Sequence, residues 1–364
     1  MVTLATGGTT TQTSISIMPG NPPGLTVPNE IPTNAWVMTQ FTAAASDAYG
    51  LSWKMSSSAL PIGATLDVNS GKFQWTPDLT QTGTTYVTVT VTDSAGLSAS
   101  KTVQIDVGPA LKPHISGLYN AASYQQDQTC SPGSLATLVG TGFTGADLVQ
   151  ANVVPWPTSL GGLQLTANSI PVPLLAVTDT LIQFQCPVLP VGSAITMIVN
   201  PRSGQASDPL QFVLKEATPA LFILNSNDQG AVLIAGTNLI AMPTTDGLPS
   251  RPAKQGEYLA IYADGLGPVK EVLAPGAPAP IDHVIPAIDQ MVVVVGTVQL
   301  TPSFAGLAPG LAGLYQVNVQ LTTDVPIGDS IPMYVSVTLS DGTVVQTNSV
   351  NIAIQAADPA SVNK

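Results

Sequence analysis

The sequence predicts an all-β chain of tandem β-sandwiches, and three observations carry that reading. Polar and apolar residues alternate at period two in one stretch after another, as half-buried strands require. Glycine and proline number 32 each in 364 residues, which leaves little room for long helices. Only 9% of residues are charged while 44% are hydrophobic, the composition of sandwiches with true cores and uncharged polar outer faces. The length suits two or three domains.

Residues 1–12 are Gly/Thr-rich and expected to be flexible. The first domain is expected over 13–108. Trp53 and Trp75 are placed to fill the space between its sheets, and Asn69-Ser70-Gly71 makes a tight turn. Thr85 to Thr92 alternates Thr with Val, Asp93-Ser94-Ala95-Gly96 turns, and Ser98 to Val107 alternates again, which predicts a hairpin with β-branched residues on one core. Gly108-Pro109-Ala110-Leu111-Lys112-Pro113 is a short, stiff linker. Strands then recur at Leu135–Val139, Leu163–Ala167, Ala194–Val199 and Leu210–Leu214, defining a second sandwich over 114–217. A junction at Ala217-Thr218-Pro219-Ala220 opens a third sandwich over 218–356. Its strands are expected at Tyr258–Tyr262, Met291–Val295, Leu314–Gln320, Met333–Leu339 and Val344–Ile354, with a tail at 357–364. The Pro-containing junctions predict an elongated arrangement.

The second and third sandwiches repeat one another. Ser131 to Phe143 aligns with Lys254 to Leu266 at an offset of 256 − 133 = 123, each copy a Gly turn, a buried strand and a second Gly. Leu181-Ile182-Gln183-Phe184 aligns with Leu314-Tyr315-Gln316-Val317 at 314 − 181 = 133, so about ten residues are inserted between the two matches. The Pro/Ala-rich Ala274–Pro286 is the expected insertion.

Charge and motif content narrow the chemistry. The net charge is −12 and the only arginines are Arg202 and Arg251, so a nucleic-acid partner and an anionic membrane surface are disfavoured. The apolar runs, Met291–Val295 among them, are strand-length, so no membrane span is expected. No zinc cluster, EF-hand loop, P-loop, dinucleotide fingerprint or nucleophile elbow occurs, and no cofactor is expected. His114 and His283 read as ordinary surface histidines, and the four glutamates Glu30, Glu216, Glu257 and Glu271 match no hydrolase motif. Calcium ligands could be drawn from Glu30, Asp47, Asp67, Asp93 and Asp106, but the linker carries no acid, so solvated loop acids are the reading and no metal is expected.

Cys130 and Cys186 are two buried thiols or one disulfide. The rest of the sequence points to secretion, which favours the disulfide. The N-terminus lacks a signal peptide, and Met1 reads as the start of a shortened chain whose natural signal has been removed.

Two resemblances follow. Residues from about 117 to 354 resemble the C-terminal domain of many secreted proteins of soil acidobacteria, first noted in Solibacter. The matching residues include Asn120-Ala121-Ala122-Ser123-Tyr124, Ser131-Pro132-Gly133-Ser134, Thr218-Pro219-Ala220-Leu221-Phe222, Gly265-Leu266-Gly267-Pro268 and Gly313-Leu314-Tyr315-Gln316-Val317-Asn318-Val319. The family often has Gln-Ile-Asn in place of Ile182-Gln183-Phe184, and Pro-Gly in place of Pro219-Ala220. Residues from about 13 to 108 look like the cadherin-like, dystroglycan-type immunoglobulin module, on Leu51-Ser52-Trp53, Leu60 to Asp67, Ser70 to Pro77 and Tyr86 to Asp93. These resemblances imply three immunoglobulin-like sandwiches, extracellular location and no assigned activity.

The function expected is a non-catalytic structural, adhesion or spacer module of a bacterial surface or secreted protein. A carbohydrate-binding accessory module and a subunit of an extracellular filament assembled by strand pairing are the alternatives. The partners would be a polysaccharide, another surface protein or a second copy of the chain. Trp156, in the loop Pro155-Trp156-Pro157, and Tyr124, beside Gln125 and Gln126, are the candidate ligand-binding residues. No residue is assigned a catalytic role.

Overall fold

A computed structural model of the chain describes residues 2–6, 9–13, 20–126, 129–144, 147–201, 204–224 and 227–358. Met1, Gly7 and Gly8 of the N-terminal segment, Arg202, and residues 359–364 of the expected tail lie outside the described residues. The chain is all-β, and its one described helical turn is the 3-10 segment Leu79–Gln81. It divides into two compact units, Met1–Ala110 and Leu111–Lys364. The division falls inside the proline-marked linker. None falls at Ala217–Ala220, so the sandwiches expected over 114–217 and 218–356 share the second unit.

In the first unit the backbone strands Val2–Thr6 and Thr9–Thr13 pair antiparallel as a separate two-stranded sheet. The sandwich proper sets a four-stranded sheet against a three-stranded one. The larger sheet runs Glu30–Asn34, Ser98–Gly108, Gly83–Asp93, Trp53–Ser56, with the first pair parallel. The smaller runs Thr39–Thr42, Lys72–Trp75, Thr65–Leu66. Period-two alternation turns Val87, Val89, Val91, Val103 and Ile105 inward onto Met55, Phe73 and Trp75. Burial of each large side chain contributes roughly 1.5–3 kcal/mol. Trp75 is fully buried and donates its indole N–H to the Ile62 carbonyl at 3.1 Å, while Trp53 packs partly buried at the core's edge. On the outer face hydroxyls pair across the hairpin, Thr88 with Thr102 at 2.9 Å, Thr90 with Ser100 and Thr92 with Ser98 at 2.8 Å. Such cross-strand pairs stabilise a sheet without charge.

The second unit holds two sandwiches. The first pairs the sheet His114–Asn120, Leu135–Thr141, Leu181–Gln185, Leu174–Val177, Val149–Gln150 with the sheet Ile170–Pro171, Leu163–Ala167, Ala194–Pro201, Leu210–Val213. The second has a sheet centred on Tyr258–Asp264 and Tyr315–Gln320, and a facing sheet centred on Gly328–Thr338 between Val350–Gln355 and Gln290–Val295. Each has its own core.

The repeat is visible in both strands and ladders. Leu135–Thr141 shifted by 123 gives Tyr258–Asp264, the bounds observed. In each copy this strand pairs antiparallel with its partner, Leu181–Gln185 or Tyr315–Gln320. The ladders, however, equate Leu138↔Ile182 with Ile261↔Val317, an offset of 317 − 182 = 135 rather than 133. A two-residue shift keeps every side chain on its face, so the alternation alone cannot detect it.

Candidate functional site

The densest set of buried polar groups lies where the two sandwiches of the second unit meet. It is built from the end of the strand Tyr258–Asp264, the chain leading into the last sandwich at Thr218, and the preceding sandwich at Asn120 and Ser131–Leu135.

Gly265 ends the strand with φ +64°, and a Cβ there would lie 2.5 Å from the Thr218 hydroxyl oxygen. The turn turns Asp264 into the junction, where it is completely buried. Its Oδ1 accepts a hydrogen bond from the Leu135 N–H at 2.8 Å. Its Oδ2 has no hydrogen-bond partner among the described residues. Burial pushes the carboxyl up to about 8, partly offset by the N–H groups of Leu135 and Gly265 and by Asn120. Near neutral pH Asp264 is therefore largely a neutral acid.

Asn120 donates from Nδ2 to the Thr218 carbonyl at 3.0 Å, while its Oδ1 accepts from the N–H groups of Ala122 and Ser123. Thr218 donates its hydroxyl to Ser131 Oγ at 3.1 Å and its N–H to the Gly265 carbonyl at 2.8 Å. Ser134 Oγ accepts from the Ser131 N–H at 3.0 Å. A disulfide joins Cys130 to Cys186 beside these residues, with Cα atoms 5.8 Å apart. The Cys130 carbonyl accepts from the Lys215 N–H at 3.1 Å, and Cys186 donates its N–H to the Ser134 carbonyl at 2.8 Å. The bridge thus anchors the corner on which the last sandwich is seated.

A second seam lies along the Pro/Ala-rich segment Ala274–Pro286. Gln185 accepts at Oε1 from the Gly276 N–H at 2.7 Å and donates from Nε2 to the Gly133 carbonyl at 3.0 Å. The Gly276 carbonyl accepts from the Trp156 N–H at 3.0 Å. A cavity of about 110 Å³ between Gly133, Gln185, Val188, Val272, Leu273 and Tyr315 borders this seam and is mainly apolar. Tyr315 is buried at its base and donates its hydroxyl to the Gly267 carbonyl. Burial, then the charges of Asp264 and Asp289, push its phenol above the usual range. Asp289 is itself pushed up to about 6, by burial first and then by Glu216.

Trp156 is half-buried, after a cis Val154–Pro155 peptide, with its backbone tied to Gly276. Tyr124 is exposed in the turn after Asn120, with φ +55°. They occupy separate loops, and no hydrogen bond or ring contact joins them among the described residues. His283 bonds Asp282 at 3.0 Å and Glu271 at 3.1 Å on the surface, and Glu271 followed by Asp282 raises its ring above the usual range. Among the described residues no group of three or more His, Cys, Asp or Glu could hold a metal ion. No helix of the described residues is long and apolar enough to cross a membrane.

Sequence reasoning singled out neither Asp264 nor Gln185. Asp264 left one trace, an acid ending an otherwise apolar strand where the repeat has Thr141. Gln185 left none, because its role depends on a segment 91 residues away.

Residues 2–108 match the family model described as "Putative Ig domain". No curated protein matches the chain. Among solved structures the chain is similar to a Bacteroides ovatus mixed-linkage glucan utilization protein, SGBP-B, in complex with a mixed-linkage heptasaccharide. Identity is 8% over 93% of this chain and 72% of that one, with TM-score 0.29. A protocadherin gamma extracellular domain matches at 14% identity over 94% and 68%, TM-score 0.24. A titin I-band fragment matches at 10% over 93% and 99%, TM-score 0.21.

Proposed function

We propose that the chain is a non-catalytic extracellular module of a bacterial surface or secreted protein, serving in adhesion or as a spacer. The observation that carries this reading is the use made of its reactive side chains. Asp264, Asn120, Thr218 and Gln185 hold two sandwiches together, and the disulfide braces the same corner. Buried polar groups engaged in such networks specify a fold rather than present a reacting atom. The resemblance of residues 117–354 to domains of secreted proteins, the sparse charge and the disulfide support an oxidising, extracellular setting.

The reading is tested by pulling the tethered chain in single-molecule force spectroscopy alongside a screen against polysaccharides and model esters. Mechanical unfolding should release less chain before reduction than after it, because the disulfide shields the 56-residue segment it closes. At roughly 3.5 Å per residue the difference is on the order of 200 Å. Turnover of any substrate, abolished by one Asp or Glu substitution, would overturn the proposal.

A carbohydrate-binding accessory role is the second reading, favoured by the exposed Tyr124 ring, with Trp156 as the other contact residue. Glycan-array binding lost in Tyr124→Ala would support it.

A further inference from the structure

We propose that the junction between the two sandwiches of the second unit is a proton-operated latch, closed while Asp264 carries a proton and loosened when that proton is lost.

Three observations carry this. Asp264 is completely buried yet has an orphaned oxygen, so the closed junction leaves part of an ionised carboxylate unsatisfied. An uncompensated buried charge is costly, and separation of the two surfaces, which admits water, relieves it. The groups bonded to Asp264 offset a charge only in part, and none of them is cationic. From the preceding sandwich it meets the Leu135 N–H and the Asn120 amide, both neutral. On its own sandwich the nearby titratable groups are Tyr315 and Asp289, and Glu216 beside Asp289 lies on the segment leading into it, none of them cationic.

Third, the sandwich itself does not require this acid. The sister strand Leu135–Thr141 has exposed Thr141 at the equivalent place. The carboxyl is thus particular to the one strand end that is buried against a neighbour. Ionisation acts on the contact and spares both cores, each of which is separate and apolar.

The direction follows from the raised proton affinity of the closed state. Asp264 titrates near 8 when closed and near 3.8 when solvated. The closed form is therefore fully favoured below about 4 and loses about tenfold in its equilibrium per pH unit as pH rises toward about 8, then levels. Asp289 adds a contribution of the same sign ending near 6, so the interval from 6.5 to 8 isolates Asp264.

The experiment is amide hydrogen exchange on the full chain at pH 6.5, 7.25 and 8, corrected for intrinsic exchange. Leu135 and Gly276, whose amides bond across the two sandwiches, report the junction, while Leu165 and Val293 report the two cores. The expected result is an opening constant at Leu135 and Gly276 that rises about fivefold from pH 6.5 to 7.25 and about threefold from 7.25 to 8. Leu165 and Val293 stay far better protected than Leu135 at every pH, and Asp264→Asn, a neutral isostere, abolishes the rise. A flat wild-type response at Leu135 would overturn the latch. So would Leu165 and Val293 exchanging as fast as Leu135, since opening would then be global unfolding, or an unchanged slope in Asp264→Asn. The wild-type series decides the matter even if that variant fails to fold.

Discussion

The carboxylate of Asp264 receives the backbone N–H of Leu135 at 2.8 Å across 129 residues of sequence. That bond ties the end of a strand in the last sandwich to the start of its repeat-equivalent strand in the preceding one.

Asp264→Asn should stabilise the second unit at neutral pH. The folded carboxyl binds its proton up to about 8 whereas the unfolded one releases it near 3.8. The contribution of Asp264 to stability is therefore greatest below about 4 and falls as pH rises through that interval, by about 1.4 kcal/mol per pH unit at most. Chemical denaturation between pH 5 and 8 should show this fall in the wild type and a markedly flatter profile in the variant.

Glu257 should give the opposite limb. Its carboxyl is held below the usual range, first by hydrogen bonds from Arg251, at 2.9 and 2.7 Å. Its contribution is present above about 4.5 and is lost as pH falls through the lower folded value. Glu257→Gln should flatten the acid side of the stability curve while leaving the fall above pH 6 intact. Denaturation from pH 2.5 to 5 measures it.

Gly276→Ala should weaken the seam on Trp156. Gly276 has φ +76°, and an added Cβ would lie 2.9 Å from the Trp156 backbone nitrogen and 3.1 Å from its carbonyl oxygen. Backbone atoms cannot swing aside, so a loss of roughly 1–3 kcal/mol is expected. A lowered midpoint for the second unit, with quenching or shift of Trp156 fluorescence, is the readout.

Removing the disulfide by Cys130→Ala with Cys186→Ala should destabilise the second unit by up to roughly 4 kcal/mol, the chain-entropy value for the 56-residue loop it closes. Because the Cys130 carbonyl and the Cys186 N–H also hold the junction corner, Leu135 exchange should accelerate more than Val293 exchange. Intact-mass measurement with alkylation, before and after reduction, verifies the bridge in the wild type.

Thermal midpoints in excess chelator and in added calcium should coincide, because the acids Glu30, Asp47, Asp67, Asp93 and Asp106 act as turn and strand partners. Asp67 accepts from Ser70 and Asn69, and Asp93 from Ala95 and Leu97. A rise of more than a few degrees with calcium would show a missed site.

The class, the strands and their faces can all be read from the order of residues. Val87, Val89 and Val91 alternate with threonines, and an apolar period of two admits one solution, a sheet with a buried and a solvated side. The same order shows that Leu135–Thr141 and Tyr258–Asp264 are copies, since the Gly that ends each strand recurs at one fixed offset. The register of their partner strands is visible only in the folded ladders, because a two-residue slip leaves every side chain on the same face. So too is the burial of Asp264 and the exposure of Thr141 visible only in the fold, although they occupy the same place in the repeat. Alternation reports which side of a strand is apolar, a property of neighbours in sequence. Burial of a strand's end depends on what another part of the chain lays over it, and Asn120, Gln185 and Leu135 reach their partners from 91 to 129 residues away.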